Sequence, residues 1–532
     1  MSVKIVYEGV ALQAKEDSAF SAENEIEFSN VSKIKENVDI PNYGTLEKNQ
    51  FLLDGTYSIM PDDKSGCALW SNAISDTSGD FSSPLLLTVS FSKYYSSAGL
   101  TLSFTDDYCS EINIKWYQNN TLLSDKDFQP DSLNYFCYNR VENYNLIEII
   151  FKKTSKPQRY AKISHIEFGV IKEFTNDELI NSSVMEEIDP IGAEISINTM
   201  DFSFNSENIE YMFEMKQPFK IYYNNELLGT YFLEKSNRIS KNRYSVETYD
   251  YMGILDKNTF MGSMYSGEYL YSVIDDIFEN TNVPYEIDSK IRFYSVYGHI
   301  PVCSAKEALI YICFAFGCNV ITSKRDNVYI TLLDNEVKLN IQSENVYSGG
   351  RFENNDMITS VCLTEHNYKE SDEIQELYNG TDEEQTVIFN EPMWDLSITG
   401  GKIIKRGTNY AVIRKTGETM ILTGKKYVHQ TNIHSKSLNI LNSTALVNEM
   451  NFESCTLIHK YNYSTVLNRL YNYYVGKKDK SIFKAKSGIE NVGDLITYDT
   501  LFLGNKKGRI LSKKYTLNTN NIAAEYTVED VN

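Results

Sequence analysis

The chain is predicted to be mostly β, with α+β character, and to fold as several domains. Three observations predict this. At 532 residues it exceeds one core, and two to four domains of roughly 100–200 residues are expected. Apolar residues alternate with period two in short segments bounded by turn residues along most of its length. The helical period of 3.6 surfaces only near residues 269–278, 304–317 and 464–476.

Composition narrows the function. Hydrophobic residues make up 42%, enough for packed cores, and aromatics 13%, mostly the 39 Tyr. Tyr suits strands and interfaces, because it joins a rigid apolar face to a polar tip. The net charge of −21 argues against nucleic acid, whose binding is driven by phosphate neutralisation. It fits a solvated acidic surface, or complementarity to basic partners in an assembly. No apolar run reaches the length of a signal peptide core or a membrane span, so a soluble chain made in the cytoplasm is expected.

Residues 1–64 carry brief apolar patches such as Val3–Tyr7 between polar stretches, the pattern of an extended arm with a strand or two. Residues 65–170 are dense in strands: Leu85–Ser92, Leu100–Phe104, Ile112–Tyr117, Leu146–Phe151 and Tyr160–Gly169. Regular short strands predict a β-sandwich. Their order, with Arg159 late and a final IEFG, resembles jelly-roll modules of the galactose-binding type. That resemblance implies a sugar site in which Trp70 and Trp116 stack on a pyranose. The competing account makes both core aromatics and is favoured, because aromatic rings bury large areas whatever the function.

A connector follows, with a helical turn expected at Asp177–Asn181 and a break at Asp189-Pro190. Strands are expected at Ala193–Ile197 and Phe202–Phe204. A meander then runs from Gln217 to Asp256, turning at Asn224-Asn225 and closing on Tyr249-Asp250. Leu270, Val273, Ile274, Ile277 and Phe278 mark one face of a helix. Ser304 with Glu307 spells a capping box, and Gly317 a left-handed cap, around a second helix with Leu309, Ile312, Cys313 and Phe316. A hairpin turning at Lys324–Asn327 completes a compact α/β module. Strands return over 340–450, interrupted by the acidic segment Tyr368–Glu384, expected as an exposed loop. The last 80 or so residues are expected to form a second α/β unit: a helix opened by Ser464, then strands through Ala523–Val528. Strands followed by an α/β unit thus occur twice.

No catalytic arrangement stands out. The six histidines (165, 299, 366, 429, 434, 459) are isolated in sequence and lack HExxH spacing. A metal shared by His429 and His434 is not expected. The eight cysteines include no CxxC, and GxSxG, P-loop and GxGxxG motifs are missing. The acidic segment lacks calcium-loop spacing. No catalytic, cofactor-binding or metal residue is therefore nominated.

The pieces PFKIYYNNELLGTYFLEK, YSVETYDYMGILD, LYSVIDDIF, HIPVCSAKEALIYICFAFGC, TLIHKYNYSTVLNRLYNYY, VGDLI and GRILSKKYTL occur in this order across about two-thirds of the chain. The pattern resembles the central baseplate hub of phage tails, phage-tail-like bacteriocins and related contractile injection systems. The resemblance implies a homotrimer in which each chain gives two small β-barrels and two α/β domains. The barrels ring a pseudo-sixfold axis and adapt a hexameric tail tube to a trimeric spike. Applied here, it divides the chain into the arm (1–64), the sandwich (65–170), a first barrel (171–262), a first α/β domain (263–335), a second barrel with the acidic loop (336–450) and a second α/β unit (451–532). Implied partners are the tail tube, spike, baseplate wedge and tape-measure proteins, with no nucleic acid, membrane or cofactor. The implied location is the baseplate of a virion or tail-like particle assembled in the host bacterial cytoplasm. Two rivals remain: a carbohydrate-binding receptor at the tail tip, contacting cell-wall glycan, and a tail-associated cell-wall hydrolase.

Overall fold

The computed structural model describes residues 3–10, 12–36, 43–47, 50, 54–57, 68–206, 213, 217–438, 447–476, 478–486, 490–500, 504–517 and 522–531. The architecture is mostly β and multidomain, as predicted, and divides into two compact units.

The smaller unit, residues 5–173 with 212–219, is a β-sandwich. Its spine is the 25-residue strand Asp80–Phe104, which pairs with Asn134–Thr154. Register shifts between Ser90 and Gly99 bend this strand. Its first half pairs with Ala19–Glu23, and its second half with Lys162–Phe174. Phe104 of the second half then meets Phe151 across the core, ring centroids 6.4 Å apart. Alternation decides what is buried: Leu85, Leu87 and Val89 point inward, as do Ile112, Ile114 and Trp116. At the bend, Gly99 has φ +145° and a Cβ there would lie 2.1 Å from the Cys137 carbonyl oxygen, so glycine is required.

The expected arm belongs to this sandwich. Ala14, Phe28 and Ile34 are buried in the same core. Glu47 is buried too; it accepts the Tyr160 N–H and pairs with Lys162 at 2.8 Å. Short apolar patches between polar stretches mark single inward-facing residues here. Within the expected arm, Phe51-Leu52-Leu53 lies outside the described residues, as does Cys67 beyond it.

The larger unit comprises residues 1–4, 174–211 and 220–532. Its main sheet contains the antiparallel run Glu226–Arg238, Arg243–Tyr249, Thr199–Asn205, Leu179–Glu187, Gly504–Leu517, Ile522–Asp530, Asp479–Lys486, Arg351–Asn354, and Leu495–Thr500 adds Val337–Ile341 in parallel. The C-terminal strands therefore extend the sheet of residues 179–249, whereas a separate α/β unit was expected. Their alternation reports that one face is buried; it carries no information about the neighbouring strand. Lys513, opposite both Glu186 and Tyr526 in the ladders, fixes the joint. Its ammonium lies 3.1 Å from Glu490 Oε1 and donates to the Glu490 carbonyl at 2.9 Å. The Tyr526 hydroxyl donates to the same carboxylate. Burial pushes the Glu186 carboxyl up, with Lys513 opposing the shift.

Two local expectations also change. Residues 176–178 form a tight turn and Leu179 already starts a strand; Ala193–Ile197 is not a strand. The Asp189 carboxylate accepts the N–H groups of Ile191, Ala193 and Glu194 and holds that segment as a loop.

Four helices share one apolar core: Tyr251–Asp256, Leu270–Phe278, Ala305–Phe316 and Tyr463–Tyr474. The Ser304–Glu307 capping box and the Gly317 cap (φ 71°) are present as predicted. Ser464 lies inside the last helix, which starts at Tyr463 behind Asn462. Asp250 caps the first, accepting the Met252 N–H at 3.0 Å and the Thr322 hydroxyl at 2.7 Å; burial raises its carboxyl to about 7. The hairpin Asn319–Ile321/Val328–Thr331 packs beside them.

The segment Tyr368–Glu384 is mostly not a loop. It continues the strand Ser360–Gly380, paired along its length with Met420–Ser437. From Lys369 to Glu376 both faces are largely solvated, so no hydrophobic alternation betrays it. Cross-strand pairs Lys425–Asp372 (3.2 Å) and Lys426–Glu373 (3.1 Å) flank the ladder. Beside this ribbon, strands Glu384–Ile388, Tyr410–Lys415 and Gly401–Arg406 form a small sheet over Val387, Ile413, Met420 and Leu422.

Candidate interaction surface

The strand Ser263–Tyr269 pairs with Ser295–Ile300 and leads directly into the helix Leu270–Phe278. The helix turns Leu270, Val273, Ile274 and Ile277 into the core. That phase leaves Tyr271, Asp275 and Asp276 outward. Tyr269, Tyr271 and Phe293 gather there, centroids 5.8–6.0 Å apart, two of the three contacts edge-to-face. Phe293 is 66% exposed and Tyr269 50% exposed. The Arg292 guanidinium lies 5.2 Å from the Tyr271 ring centre. Farther along the same strand, Tyr297 packs on Tyr461 at 4.9 Å, and Tyr461 is 65% exposed. Carboxylates rim the cluster. Asp276 is raised by burial and then by Glu279 and Asp275, while Tyr285 donates to Asp275 at 2.7 Å. Aromatic rings already packed on one another lose little freedom on docking and bury some 150–250 Å² each.

Sequence spacing hid a histidine cluster. His366 and His429 lie on facing strands and bond directly, Nδ1 to Nε2, at 2.9 Å. His366 Nε2 lies 3.0 Å from the Glu453 carbonyl oxygen, so it carries the proton and donates there. His429 Nε2–H then donates to His366 Nδ1. Tyr368 stacks on His429 at 4.5 Å, and His299 follows at 5.5 Å from Tyr368, bonded to Asn409. Burial lowers all three imidazoles. His434 instead bonds Glu365 at 2.6 Å, so it does not join His429. Nothing local in sequence joins positions from separate strands; the ladder register alone does. Among the described residues no group of three or more His, Cys, Asp or Glu could hold a metal ion.

A half-open cleft of about 360 Å³ is lined by Cys303, Glu307, Tyr311, Phe314, Phe452 and Cys455. Burial pushes the Cys303 and Cys455 thiols up to about 12, away from the nucleophilic thiolate. Cys313 and Cys318 are buried thiols with Sγ atoms 3.8 Å apart.

Trp70 and Trp116, the two candidate sugar-stacking residues, are 1% and 0% exposed. Trp70 is enclosed by Phe28, Tyr43 and Tyr160, with the Lys162 ammonium 4.7 Å from its ring centre. Trp116 packs on Phe128. Neither ring presents a face to a sugar.

No family model and no curated protein matches the sequence. Solved structures do resemble it. They include a 43 kDa tail protein of prophage MuSo2 from Shewanella oneidensis (7% identity, 67% of this chain, 95% of that chain, TM-score 0.41). A tail protein from Neisseria meningitidis MC58 gives 8% identity over 68% of this chain and 94% of its own, TM-score 0.43. Prophage tail protein gp18 from Listeria monocytogenes EGD-e gives 10% identity over 68% and 91%, TM-score 0.41. At these scores the likenesses carry no functional argument.

Proposed function

We propose that this chain is the structural hub of a phage or phage-tail-like baseplate, a homotrimeric adaptor between a hexameric tail tube and a central spike. The observation that carries an assembly role is the exposed aromatic cluster Tyr269–Tyr271–Phe293, seated on a four-helix core. A preformed cluster of exposed rings is the chemistry of an interface centre. The ordered resemblance across residues 190–528 supplies the hub assignment, with tube, spike, wedge and tape-measure proteins as partners and the baseplate as location. The role is mechanical and non-catalytic. Burial of Trp70 and Trp116 weighs against the carbohydrate-receptor alternative, for which they are the stacking candidates.

Size-exclusion chromatography with light scattering on the full chain tests the reading. A trimer is expected. A strictly monomeric species at every concentration, and in cross-linked assembled particles, would sink it.

A further inference from the structure

The larger unit carries a second surface of opposite chemistry. Strand Gly401–Arg406 is an edge of its three-stranded sheet. It exposes Lys402, Ile404, Lys405 and Arg406, and Ile404 is 51% exposed. The neighbouring cations are committed: Arg414 to Glu384 at 2.6 Å and Lys415 to Glu383 at 2.7 Å. Lys402, Lys405 and Arg406 have no ion-pair partner among the described residues. On a chain of net charge −21 these three cations surround an exposed isoleucine, with the Lys405 ammonium 6.0 Å from the Tyr410 ring centre. At the aromatic cluster the balance is reversed. Glu268, Asp275, Asp276 and Glu279 outweigh Arg292, and neither Asp276 nor Glu279 has an ion-pair partner among the described residues. Burial first, and then Glu279 and Asp275, raise the Asp276 carboxyl.

We propose that these two surfaces bind each other between copies: the basic edge strand 401–406 of one chain docks on the acid-rimmed aromatic cluster Tyr269–Tyr271–Phe293 of the next. The inference rests on the trimeric reading and names its contact. The occupant is a second copy because the chain itself carries the complement: cations for the carboxylate rim, and Ile404 for the rings. In the trimer that the proposed function calls for, two surfaces that share no residue meet heterologously and repeat head to tail, the arrangement that closes a ring. Lysine on an edge strand otherwise serves to discourage pairing. Here Lys402, Lys405 and Arg406 select an acidic partner over an apolar one.

The experiment uses the full chain, with light scattering across a concentration series at low and high salt. Asp276→Lys with Glu279→Lys should raise the midpoint concentration for assembly about tenfold or more, and Lys405→Glu with Arg406→Glu should do the same. The fourfold variant should recover wild-type assembly. Mixing the two double variants should yield mixed dimers even where the fourfold variant fails to fold, because a mixed contact has restored signs, whereas a closed ring of three keeps one unmixed, repulsive contact. A wild-type oligomer unmoved by either reversal, or reversal without rescue in both the fourfold variant and the mixture, overturns this contact and leaves the trimer standing. A wild-type chain that never assembles overturns both.

Discussion

Replacing Lys513 by Met tests the joint between the C-terminal strands and the strands of residues 179–249. The ammonium is 4% exposed and its partner Glu490 0% exposed, 3.1 Å apart. Glu186 lies opposite Lys513 in the ladder and is buried as well. Methionine is an unbranched side chain one atom shorter and removes the charge. Two buried carboxyl groups then lose their shared cation, which should cost about 3–5 kcal/mol, the range for breaking a buried pair. Hydrogen exchange followed by mass spectrometry reads this locally. Protection in segment 512–517 should fall by roughly a hundredfold or more, since about 1.4 kcal/mol is tenfold. Adding Glu490→Gln should return much of the loss, because a neutral group needs no counter-ion. Protection within threefold of wild type in Lys513→Met, or a double variant no better than the single, would refute the reasoning.

Further outcomes follow from other sites. His366 and His429 are held below their ordinary range by burial, so the unfolded chain binds their protons more readily. Their contribution to stability is present above about pH 6.5 and is lost as pH falls through the lowered folded values. Protection factors at amides 364–368 and 428–431, taken relative to the intrinsic exchange rate at each pH, should therefore fall between pH 7.5 and pH 5, and His429→Phe should flatten that dependence; identical profiles would count against the assignment. Trp116→Ala should destabilise the sandwich by about 3–5 kcal/mol, seen as a lower melting temperature, whereas a sugar-stacking residue would lose glycan binding with melting unchanged. Gly99→Ala should leave the sandwich unfolded or strongly destabilised by circular dichroism, because the new methyl group would lie 2.1 Å from the Cys137 carbonyl oxygen; a wild-type melt would contradict the bend described here.

Local signals were legible and distant ones were not. The helix Ala305–Phe316 could be drawn from sequence because its cap, stripe and terminating glycine sit within 14 residues, Ser304 to Gly317. Asn224 and Asn225 both have positive φ, the left-handed conformation an Asn-Asn turn favours. The Lys513 joint, by contrast, depends on which strand lies beside which. Period-two alternation is identical for every candidate neighbour. The acidic half of Ser360–Gly380 escaped because it is solvated on both faces, so its strand is held by backbone bonds and cross-strand charges. Of the candidate surface, the Tyr-rich composition was legible, but Phe293 reaches Tyr269 and Tyr271 through pairing between distant segments, Tyr269 opposite Ser295 and the Tyr271 N–H on the Arg292 carbonyl.

The paired strands Ser360–Gly380 and Met420–Ser437 also impose an order of assembly on the chain. Ser360 and Ser437, at the base, are 77 residues apart; Gly380 and Met420, at the tip, enclose a much shorter loop that contains its own small sheet. Loop closure costs less for the shorter span, so folding should begin at the Met420–Leu422 cluster and zip toward the base. The His366–His429 contact then closes among the last steps. Pulse-labelled exchange would show amides near Met420 protected before those near His366. A growing chain thus completes its outer ribbon before that ribbon is fastened to the helical core, and the fastening waits on residues 453–458, made later still.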